Sequence, residues 1–424
     1  MQRRQFLQTG SALGAMGLVS GCATTGSGSG PKVVVIGGGY SGATAAKYLR
    51  LWSEQKIQVT LVEPNSSFIS CPISNLVIGG SKTLADITTP YDNLNKRHGV
   101  NIVKDRVNSI DADKRIVKLA GGTELSYDRL IVSPGVDFMW ESLPGMNKAG
   151  AKEKVMHAWK AGEQTATLRK QLEAMPDGGV FAMSIPLAPY RCPPGPYERA
   201  CQVAEYFTKA KPKSKVLILD ANEDVTSKGP LFKKAWAERY KGIIEYRNKH
   251  NVTDVDAATN TLKFEFNDDI KASVLNVIPN MRAGDIAVNA GLATANKRWC
   301  EVDFLTFESK AAKNVHVLGD SIQIAPGMPK SGHMANQHGK TCAAAVVALL
   351  MGKEVNPMPI YNNTCYSFVS SEDVVHVASV HRYDAEKKTM LTVPGSGGVS
   401  SAANELEGRY ALAWARNIWA DTLA

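Results

Sequence analysis

Three cysteines stand in segments that do not read as protein core, and they are the residues best suited to carry chemistry. The segments are FISCPISNLVIGG around Cys71, YRCPPGPYERA around Cys192 and YNNTCYSFV around Cys365. A thiolate is a nucleophile, and two thiols can form a disulfide that exchanges with other sulfur compounds. A purely structural disulfide and, at Cys71, an unreacted thiol are the competing interpretations. Three further cysteines are interpreted as small buried packing residues: Cys201, Cys300 and Cys342.

A glycine-rich loop near the N-terminus predicts a dinucleotide site. The segment KVVVIGGGYSGATAAKYLR predicts a strand, a turn and a helix, with glycines at Gly37, Gly39 and Gly42. In this fingerprint the first glycine permits the turn, the second lets the backbone approach a pyrophosphate, and the third lets the helix pack on the strand. The next predicted strand, IQVTLVE, ends at Glu63, where an acid would bind the ribose hydroxyls of an adenosine. An acid there disfavours the 2′-phosphate of NADP.

Two later segments favour FAD over NAD. The apolar strand in YDRLIVSPG runs into Gly135 and resembles the second nucleotide-binding turn of flavoproteins with two dinucleotide-binding domains. A further strand ends before Asp320, and a loop then leads to Ser331 and Gly332 at the start of an Ala-rich helix. In that superfamily the aspartate contacts the ribityl–pyrophosphate region, and the helix start faces the flavin pyrimidine. A helix N-terminus there would stabilise the negative charge of reduced flavin.

The middle of the chain lacks a second phosphate-binding fingerprint. Its segment GGVFAMSIPLAPYRCPPGPYERA has a glycine pair, Gly178 and Gly179, before the predicted strand and five prolines after it. Each proline removes a backbone donor that a phosphate would use. The later strand in KVLILDAN indicates that this region keeps the α/β architecture of a dinucleotide-binding domain. We therefore expect that NADH does not donate electrons to this protein.

The three cysteine segments, in this order, resemble the signature segments of the flavoprotein subunit of flavocytochrome c sulfide dehydrogenase. The resemblance covers residues 31–424 and extends to the exported leader. It implies that the sulfur of Cys71 is joined to the 8α-methyl group of FAD. It also implies that Cys192 and Cys365 form a redox-active disulfide beside the isoalloxazine ring.

The same resemblance assigns Glu198, six residues after Cys192, to an acid close to the active site. Such an acid would act on the proton of incoming sulfide or tune a thiolate through its charge. The alternative is an acid that merely stabilises the N-terminus of its own helix.

The implied reaction is the oxidation of hydrosulfide. Hydrosulfide attacks the disulfide, one cysteine keeps a persulfide, and Cys365 is released as the thiolate nearer the flavin. Two electrons pass to FAD and then leave singly to a c-type cytochrome. The chain has no C-x-x-C-H haem attachment motif, so haem c is expected on a partner subunit in a heterodimer.

Two alternatives stay open beside this activity. A sulfide:quinone oxidoreductase would need a membrane-lying element, and the helical tail NELEGRYALAWARNIWADTLA carries Trp414 and Trp419. Its acids Glu405, Glu407 and Asp421 leave it without a basic polar face. The second alternative is a non-catalytic flavin-binding electron carrier. A pyridine-nucleotide-dependent persulfide or disulfide reductase is disfavoured by the missing fingerprint.

The first thirty residues read as an export signal. Arg3 and Arg4 precede a short apolar stretch and a small-residue segment, which is typical of twin-arginine signals. The expected destination is the periplasm, where a disulfide persists. VSGC at residues 19–22 resembles a lipoprotein box that would lipidate Cys22, and simple cleavage after a small residue is the alternative.

Composition excludes several other classes. The formal charge of +9 could attract an acidic partner, but no run of basic residues is dense enough to predict nucleic-acid binding. No apolar segment after the leader is long enough to span a bilayer. The eight histidines are scattered and no cluster has metal-ligand spacing, so no metal site is expected.

These patterns predict an α/β fold with two Rossmann-like domains, similar to glutathione reductase, and a smaller α+β C-terminal domain. After the export signal at residues 1–30, the FAD-binding domain is expected at 31–150 and 270–345. A degenerate NAD-like α/β domain is expected at 151–269. The C-terminal domain at 346–424 would carry Cys365.

Overall fold

A computed structural model of the protein describes residues 30–424. The predictions for Arg3, Arg4 and Cys22 concern residues outside this range and stay predictions. Within residues 30–424 there is no helix whose length and apolar character would let it cross a bilayer.

The strands of the described chain are short, and most lie in its first two thirds. In chain order they are β1 Lys32–Ile36, β2 Gln58–Val62, β3 Ser67–Ile69, β4 Thr88–Pro90, β5 Asn101–Val103, β6 Val107–Asp111, β7 Ile116–Leu119, β8 Glu124–Ser126, β9 Arg129–Val132, β10 Val136–Phe138, β11 Val180–Ile185, β12 Lys215–Asp220, β13 Ile244–Arg247, β14 Val252–Asp256, β15 Thr261–Phe264, β16 Ile270–Lys271, β17 Val274–Val277, β18 Met281–Ala283, β19 Val315–Val317, β20 Ile360–Phe368, β21 Val374–Asp384, β22 Thr389–Thr392 and β23 Gly398–Val399.

The helices connect and cover these strands. In chain order the α-helices are α1 Tyr40–Trp52, α2 Ser74–Gly79, α3 Asp92–Lys96, α4 Ala151–Lys154, α5 Glu163–Ala174, α6 Gly195–Ala210, α7 Gly229–Arg239, α8 Asp285–Asn289, α9 Gly332–Leu350 and α10 Glu405–Leu423. Short 3-10 helices cover Ala85–Ile87, Trp140–Ser142, Pro144–Asn147 and Gly319–Ser321.

The first sheet contains five parallel strands in the order β19-β9-β1-β2-β5. In the middle strand, Val33 pairs with Val59 of β2 and with Arg129 of β9. Residues 33–36 form a continuous buried apolar run, as expected for a parallel strand that is covered on both faces. Helices α1 and α9 pack against each other beside this sheet.

The carboxyl ends of these parallel strands meet at one edge of the sheet. Strand β1 leads to Gly37, β2 to Glu63, β9 to Gly135 and β19 to Asp320. Ligands of open parallel sheets bind in the crevice at this edge. Four predicted cofactor residues that are far apart in sequence therefore lie around one crevice.

The second sheet is also parallel and has the order β13-β12-β11-β17. Phe181 of β11 pairs with Val216 of β12 and with Val274 of β17. Strand β17 thus belongs to this sheet, although residues from 270 onward were expected in the FAD-binding domain. The short strand β17 has three apolar residues of four and suits either sheet, and only its pairing with β11 decides between them.

The third sheet is antiparallel and is built from the C-terminal part of the chain. Its order is β20-β21-β22, with β23 also on β21. Cys365 lies on β20, opposite Val377 of β21. Helix α10 starts at an N-cap in which the side chain of Asn404 accepts a hydrogen bond from the backbone N–H of Glu407 at 2.8 Å. It packs against β21 and α1, so the tail of the chain reaches back to the first sheet.

Candidate active site

The glycine loop after β1 leaves open space only where a pyrophosphate would lie. Gly37 has φ +93°, and a Cβ atom on it would lie 2.3 Å from the carbonyl oxygen of Ser133. Gly42, in the first turn of α1, is equally crowded by the backbone of Gly37. A Cβ atom on Gly39 would meet nothing within 4 Å, and Gly39 is the N-cap of α1 without a side-chain cap. The free N–H groups of this helix start suit a phosphate.

Glu63 lies buried beside this loop with one acceptor position to spare. Its Oε1 accepts hydrogen bonds from the backbone N–H of Asn65 at 2.9 Å and from the side-chain amide at 2.6 Å. Its Oε2 accepts from the backbone N–H of Gly38 at 2.7 Å. A carboxylate has about four acceptor positions, so one position on Oε2 is left. This arrangement fits a ribose hydroxyl at the predicted place.

A hydrogen bond joins the chain at Gly135 to the residue after Asp320, where their two strands end. The hydroxyl of Ser321 donates to the carbonyl oxygen of Gly135 at 2.5 Å. Among the described residues the carboxylate of Asp320 has no hydrogen-bond donor, while Lys330 Nζ binds its backbone oxygen at 2.8 Å. Burial raises the pKa of Asp320, and the charges of Arg191 and Lys330 oppose that shift. A half-buried carboxylate without a protein donor fits a group that contacts a bound cofactor.

The start of α9 lies against the segment that follows Cys71. Ser331 caps the helix, because its Oγ accepts from the backbone N–H of Met334 at 3.1 Å. The same hydroxyl donates to Asn363 Oδ1 at 2.7 Å. A Cβ atom on Gly332 would lie 3.1 Å from the ring of Tyr40 and 3.2 Å from Cγ of Pro72. The helix N-terminus therefore meets the Cys71 segment on one side and the Cys365 strand on the other.

Cys71 lies in the loop between β3 and α2, close to the chain after α4. The backbone N–H of Ala161 donates to its Sγ at 3.4 Å, and its Sγ lies 3.9 Å from the carbonyl oxygen of Trp159. Burial alone would lower the pKa of Arg191, but Cys71 and then Asp320 raise it above its usual value. Arg191 is thus influenced by both the predicted flavin anchor and the predicted cofactor acid, and its buried Nε has no hydrogen-bond partner among residues 30–424.

Cys192 and Cys365 are both linked to Lys330 and Ser331, the two residues that precede α9. The backbone N–H of Cys192, at φ +57°, donates to the carbonyl oxygen of Lys330 at 2.9 Å. Cys365 Sγ lies 3.6 Å from Nδ2 of Asn363, whose Oδ1 accepts from Ser331. Burial raises the pKa of both thiols, and the proximity of Cys365 raises that of Cys192 further. The six cysteines of residues 30–424 are free thiols, so the disulfide stays a prediction.

Glu198 connects the three cysteine segments. It lies in the first turn of α6, and its Oε1 accepts from the backbone N–H of Phe368 on β20 at 2.9 Å. Its Oε2 accepts from Nδ2 of Asn75 on α2 at 2.7 Å. Burial raises the pKa of Glu198, while these two hydrogen bonds lower it. An acid that merely stabilised the N-terminus of its own helix would not need these partners.

Two residues that no sequence pattern marks hold Glu198 in place. Asn75 also donates to the carbonyl oxygen of Gly195 at 3.1 Å and accepts from Arg199 Nε at 3.0 Å. Arg199 is only 1% exposed and further donates to Asn276 Oδ1 at 2.8 Å and to the carbonyl oxygen of Ala158 at 2.6 Å. Asn75 follows Cys71 by four residues, and no local pattern marks it as a long-range connector.

The three remaining cysteines are buried, as expected of packing residues: Cys201, Cys300 and Cys342. In the described part of the chain no group of three or more His, Cys, Asp or Glu side chains has the geometry of a metal site.

The second parallel sheet carries a strand-end acid whose acceptor positions are all used. Asp220, at the end of β12, is fully buried. Its Oδ2 accepts from the hydroxyls of Tyr197 at 2.7 Å and Tyr246 at 3.1 Å. Its Oδ1 accepts from the backbone and side-chain N–H groups of Asn222 at 3.0 and 2.7 Å. Four donors occupy about four acceptor positions, so no position is left for a ribose.

Three family models match successive parts of the chain. Residues 31–175 match pyridine nucleotide-disulphide oxidoreductases. Residues 165–279 match the central region of the sulfide dehydrogenase (flavocytochrome c) flavoprotein chain. Residues 357–423 match the flavin-binding region of flavocytochrome c sulphide dehydrogenase. A sulfide dehydrogenase (flavocytochrome c) flavoprotein chain from Chlorobaculum thiosulfatiphilum is 56% identical over 46 residues, which cover 94% of that sequence and 11% of this chain.

The chain belongs to the flavoprotein family of flavocytochrome c sulfide dehydrogenase. The predicted family is therefore confirmed, and with it a flavin-binding protein of a sulfide-oxidising family. These matches do not distinguish among electron acceptors.

Other similar proteins in this flavoprotein class are quinone-linked. A mitochondrial sulfide:quinone oxidoreductase from Dictyostelium discoideum is 26% identical over 300 residues, which is 68% of this chain and 65% of that protein. The chain thus aligns with slightly less than two thirds of that relative. The solved structure of the sulfide:quinone oxidoreductase from Aquifex aeolicus has a TM-score of 0.75 at 19% identity, covering 92% of this chain and 91% of that one. The predicted fold class is confirmed.

We expect NADH to leave the flavin oxidised, because Asp220 has no free acceptor position and prolines follow β11. Anaerobic stopped-flow mixing of NADH with the flavin-loaded protein, followed by visible absorbance, tests this expectation. Dithionite is the control that shows the flavin to be reducible. Rapid bleaching by NADH would contradict the inference that the second sheet has no position left for a nucleotide ribose.

Proposed function

We propose that this flavoprotein oxidises hydrosulfide at Cys192 and Cys365 and passes the electrons through FAD to a c-type cytochrome subunit. One observation carries the proposal: the backbone of Cys192 binds Lys330, and Cys365 contacts Asn363, which binds Ser331. Both cysteines are thus linked to the residues just before α9, the helix whose N-terminus is expected to face the flavin. Family membership supports sulfide as the reductant.

The residues around the crevice of the first sheet are the ones that would hold FAD. Gly39 and the start of α1 would bind the pyrophosphate, Glu63 the adenosine ribose, and Asp320 the ribityl–pyrophosphate region. Bound FAD would accept an electron pair and release the electrons one at a time. The N-terminus of α9 would stabilise negative charge that develops next to it.

The sulfur step is a thiol–disulfide exchange. The sulfur of hydrosulfide attacks Sγ of Cys192 and forms a new S–S bond, and the Cys192–Cys365 bond breaks. The electron pair of the broken bond stays on Sγ of Cys365, so the negative charge of hydrosulfide moves to that atom and the persulfide keeps the proton. Glu198, with its raised pKa, is the group placed to exchange a proton with arriving hydrogen sulfide.

A second candidate function is sulfide:quinone oxidoreduction, which the Dictyostelium discoideum and Aquifex aeolicus proteins favour by their names. The packing of α10 against the protein supports a cytochrome as the electron acceptor instead. Trp419 of α10 donates its indole N–H to the hydroxyl of Tyr40 at 3.0 Å, and Asp421 is paired with Lys340 at 2.8 Å. This tryptophan is thus engaged inside the protein and does not serve as an interfacial anchor.

Anaerobic reduction by sulfide followed by rapid mixing with an acceptor tests the proposed function. We expect sulfide to bleach the flavin, a soluble mitochondrial-type cytochrome c to reoxidise it rapidly, and a short-chain ubiquinone to do so slowly. Faster oxidation by the quinone would favour the second candidate. If sulfide does not bleach the flavin, the protein is a non-catalytic electron carrier and not an enzyme that oxidises sulfide.

We expect Cys71→Ser to fold and to release its flavin on acid denaturation, whereas the unchanged protein keeps the yellow colour on the polypeptide. The reason is the proposed thioether between Cys71 and the flavin. Mass spectrometry of the separated polypeptide measures the bound flavin. Cys342→Ser is the control, because that buried thiol has Arg129 and Glu308 as its charged neighbours. If the unchanged protein frees all its flavin, Cys71 is not an anchor.

We expect Cys192→Ser and Cys365→Ser each to abolish flavin reduction by sulfide while the flavin content stays unchanged. A structural disulfide would instead lower the free energy of unfolding by about 2–5 kcal/mol and leave turnover normal in the folded fraction. Stopped-flow absorbance and denaturant unfolding separate the two results. Turnover of both variants at the rate of the unchanged protein would contradict the disulfide mechanism.

A further inference from the structure

Lys228 is a buried cation next to the proposed sulfur site. The residue is only 7% exposed, although it lies in the connection between β12 and α7. Its Nζ lies 2.9 Å from the carbonyl oxygen of Cys365, 2.7 Å from Oγ of Ser367 and 3.3 Å from the carbonyl oxygen of Val375. All three N–H groups of the ammonium are thus directed at β20 and β21.

The placement of Lys228 is unfavourable for the helix that it begins. Lysine is among the residues least often buried, and Lys228 adopts a left-handed backbone conformation with φ +58°. It is the N-cap of α7, where small polar side chains are preferred and a positive charge is repelled by the helix dipole. Burial, a left-handed backbone and a positive charge at a helix N-terminus are each unfavourable for a lysine. Together they indicate that the role of Lys228 lies outside α7.

The acids and thiols that face Lys228 come from β20, α6, α10 and the loop before α6. Burial lowers the pKa of Lys228 to about 8, and Cys365, Glu198, Cys192 and Glu407 oppose this shift in that order. Glu407 on α10 is itself bound to Ser400 and to His376 of β21. Lys228 is therefore the cation at the centre of a group of acids and thiols.

Lys228 acts more strongly on one thiol than on the other. Burial raises the pKa of Cys365, and Lys228 is the main influence that lowers it, followed by Asn363 and Ser331, while Glu198 raises it. At Cys192, burial, Cys365 and Glu198 all raise the pKa, and Arg191 opposes them ahead of Lys228. The main cation acting on the thiol is therefore Lys228 at Cys365 and Arg191 at Cys192.

We propose that Lys228 is a positioning residue that fixes β20 and stabilises the negative charge which Sγ of Cys365 acquires when the disulfide opens. The inference rests on the proposed function, in which hydrosulfide attacks Cys192 and Cys365 leaves. The charge of the incoming anion ends on Cys365, in a buried place where a fixed cation acts strongly. Because the intact disulfide is neutral, Lys228 stabilises the opened state more than the closed one and raises the reduction potential of the disulfide.

The pH dependence of thiol alkylation tests this role without using sulfide. The flavin-loaded protein is reduced with dithiothreitol and exposed to iodoacetamide across a pH series, and peptide mass spectrometry measures the modification of Cys365. In Lys228→Met we expect the inflection to move up by about one pH unit, with an alkylation rate about tenfold lower at neutral pH. Lys228→Arg, which keeps the charge, should restore most of the rate.

The matched control is Lys233→Met. Lys233 lies on the same helix, and its half-exposed side chain pairs with Asp224 at 2.6 Å. This variant should leave the pH profile of Cys365 unchanged. An unchanged profile in a folded Lys228→Met, with only the thermal stability lowered, would overturn the proposal and leave Lys228 as a structural anchor.

The unchanged protein supplies a second test that does not depend on any variant folding. We expect Cys365 to be alkylated at lower pH than Cys192, since Lys228 is the main influence that lowers the pKa of Cys365 and a lesser one at Cys192. The opposite order would overturn the inference even if Lys228→Met does not fold. An unchanged protein that fails to oxidise sulfide would refute the proposed function, whereas the alkylation profile still reports on Lys228.

Discussion

The site depends on one buried hydrogen-bonded group, formed by Asn75, Glu198 and Arg199. Asn75 follows the Cys71 loop, Glu198 follows Cys192, and Glu198 also accepts from the strand that carries Cys365. A buried charge that loses its partner is strongly destabilising, so these three segments are held to one another. The positions of the cysteines are therefore set by contacts between polar side chains rather than by any single strand or helix.

The parts of the site that could be predicted from the sequence are those that are local in the chain. The glycine loop at Gly37 and the acid at Glu63 follow from short patterns, because phosphate binding and strand ends impose fixed spacing. The pairing of β17 with the second sheet could not be predicted, since a four-residue strand with three apolar side chains suits either sheet. Asn75 and Lys228 also escaped prediction, because their partners lie more than a hundred residues away.

Three cations lie around the crevice and the proposed sulfur site. Arg191 lies near Cys71 and Asp320, Lys330 binds the backbone around Asp320, and Lys228 binds the Cys365 strand. Each of these groups costs free energy to bury, and each is next to a thiol or a carboxylate. Because low-dielectric surroundings strengthen such interactions, the arrangement favours negative charge arriving on sulfur without any large movement of the protein.

The saturated carboxylate of Asp220 has a consequence for how this fold can change. Two tyrosine hydroxyls and two N–H groups of Asn222 occupy it. A single substitution that removes one of these donors leaves the buried charge of Asp220 short of a hydrogen bond. The domain is then destabilised before a bound nucleotide can supply a replacement donor. A variant that regains a free acceptor at this strand end is therefore less stable before it gains a new ligand, which opposes the stepwise acquisition of a nucleotide site by the second sheet.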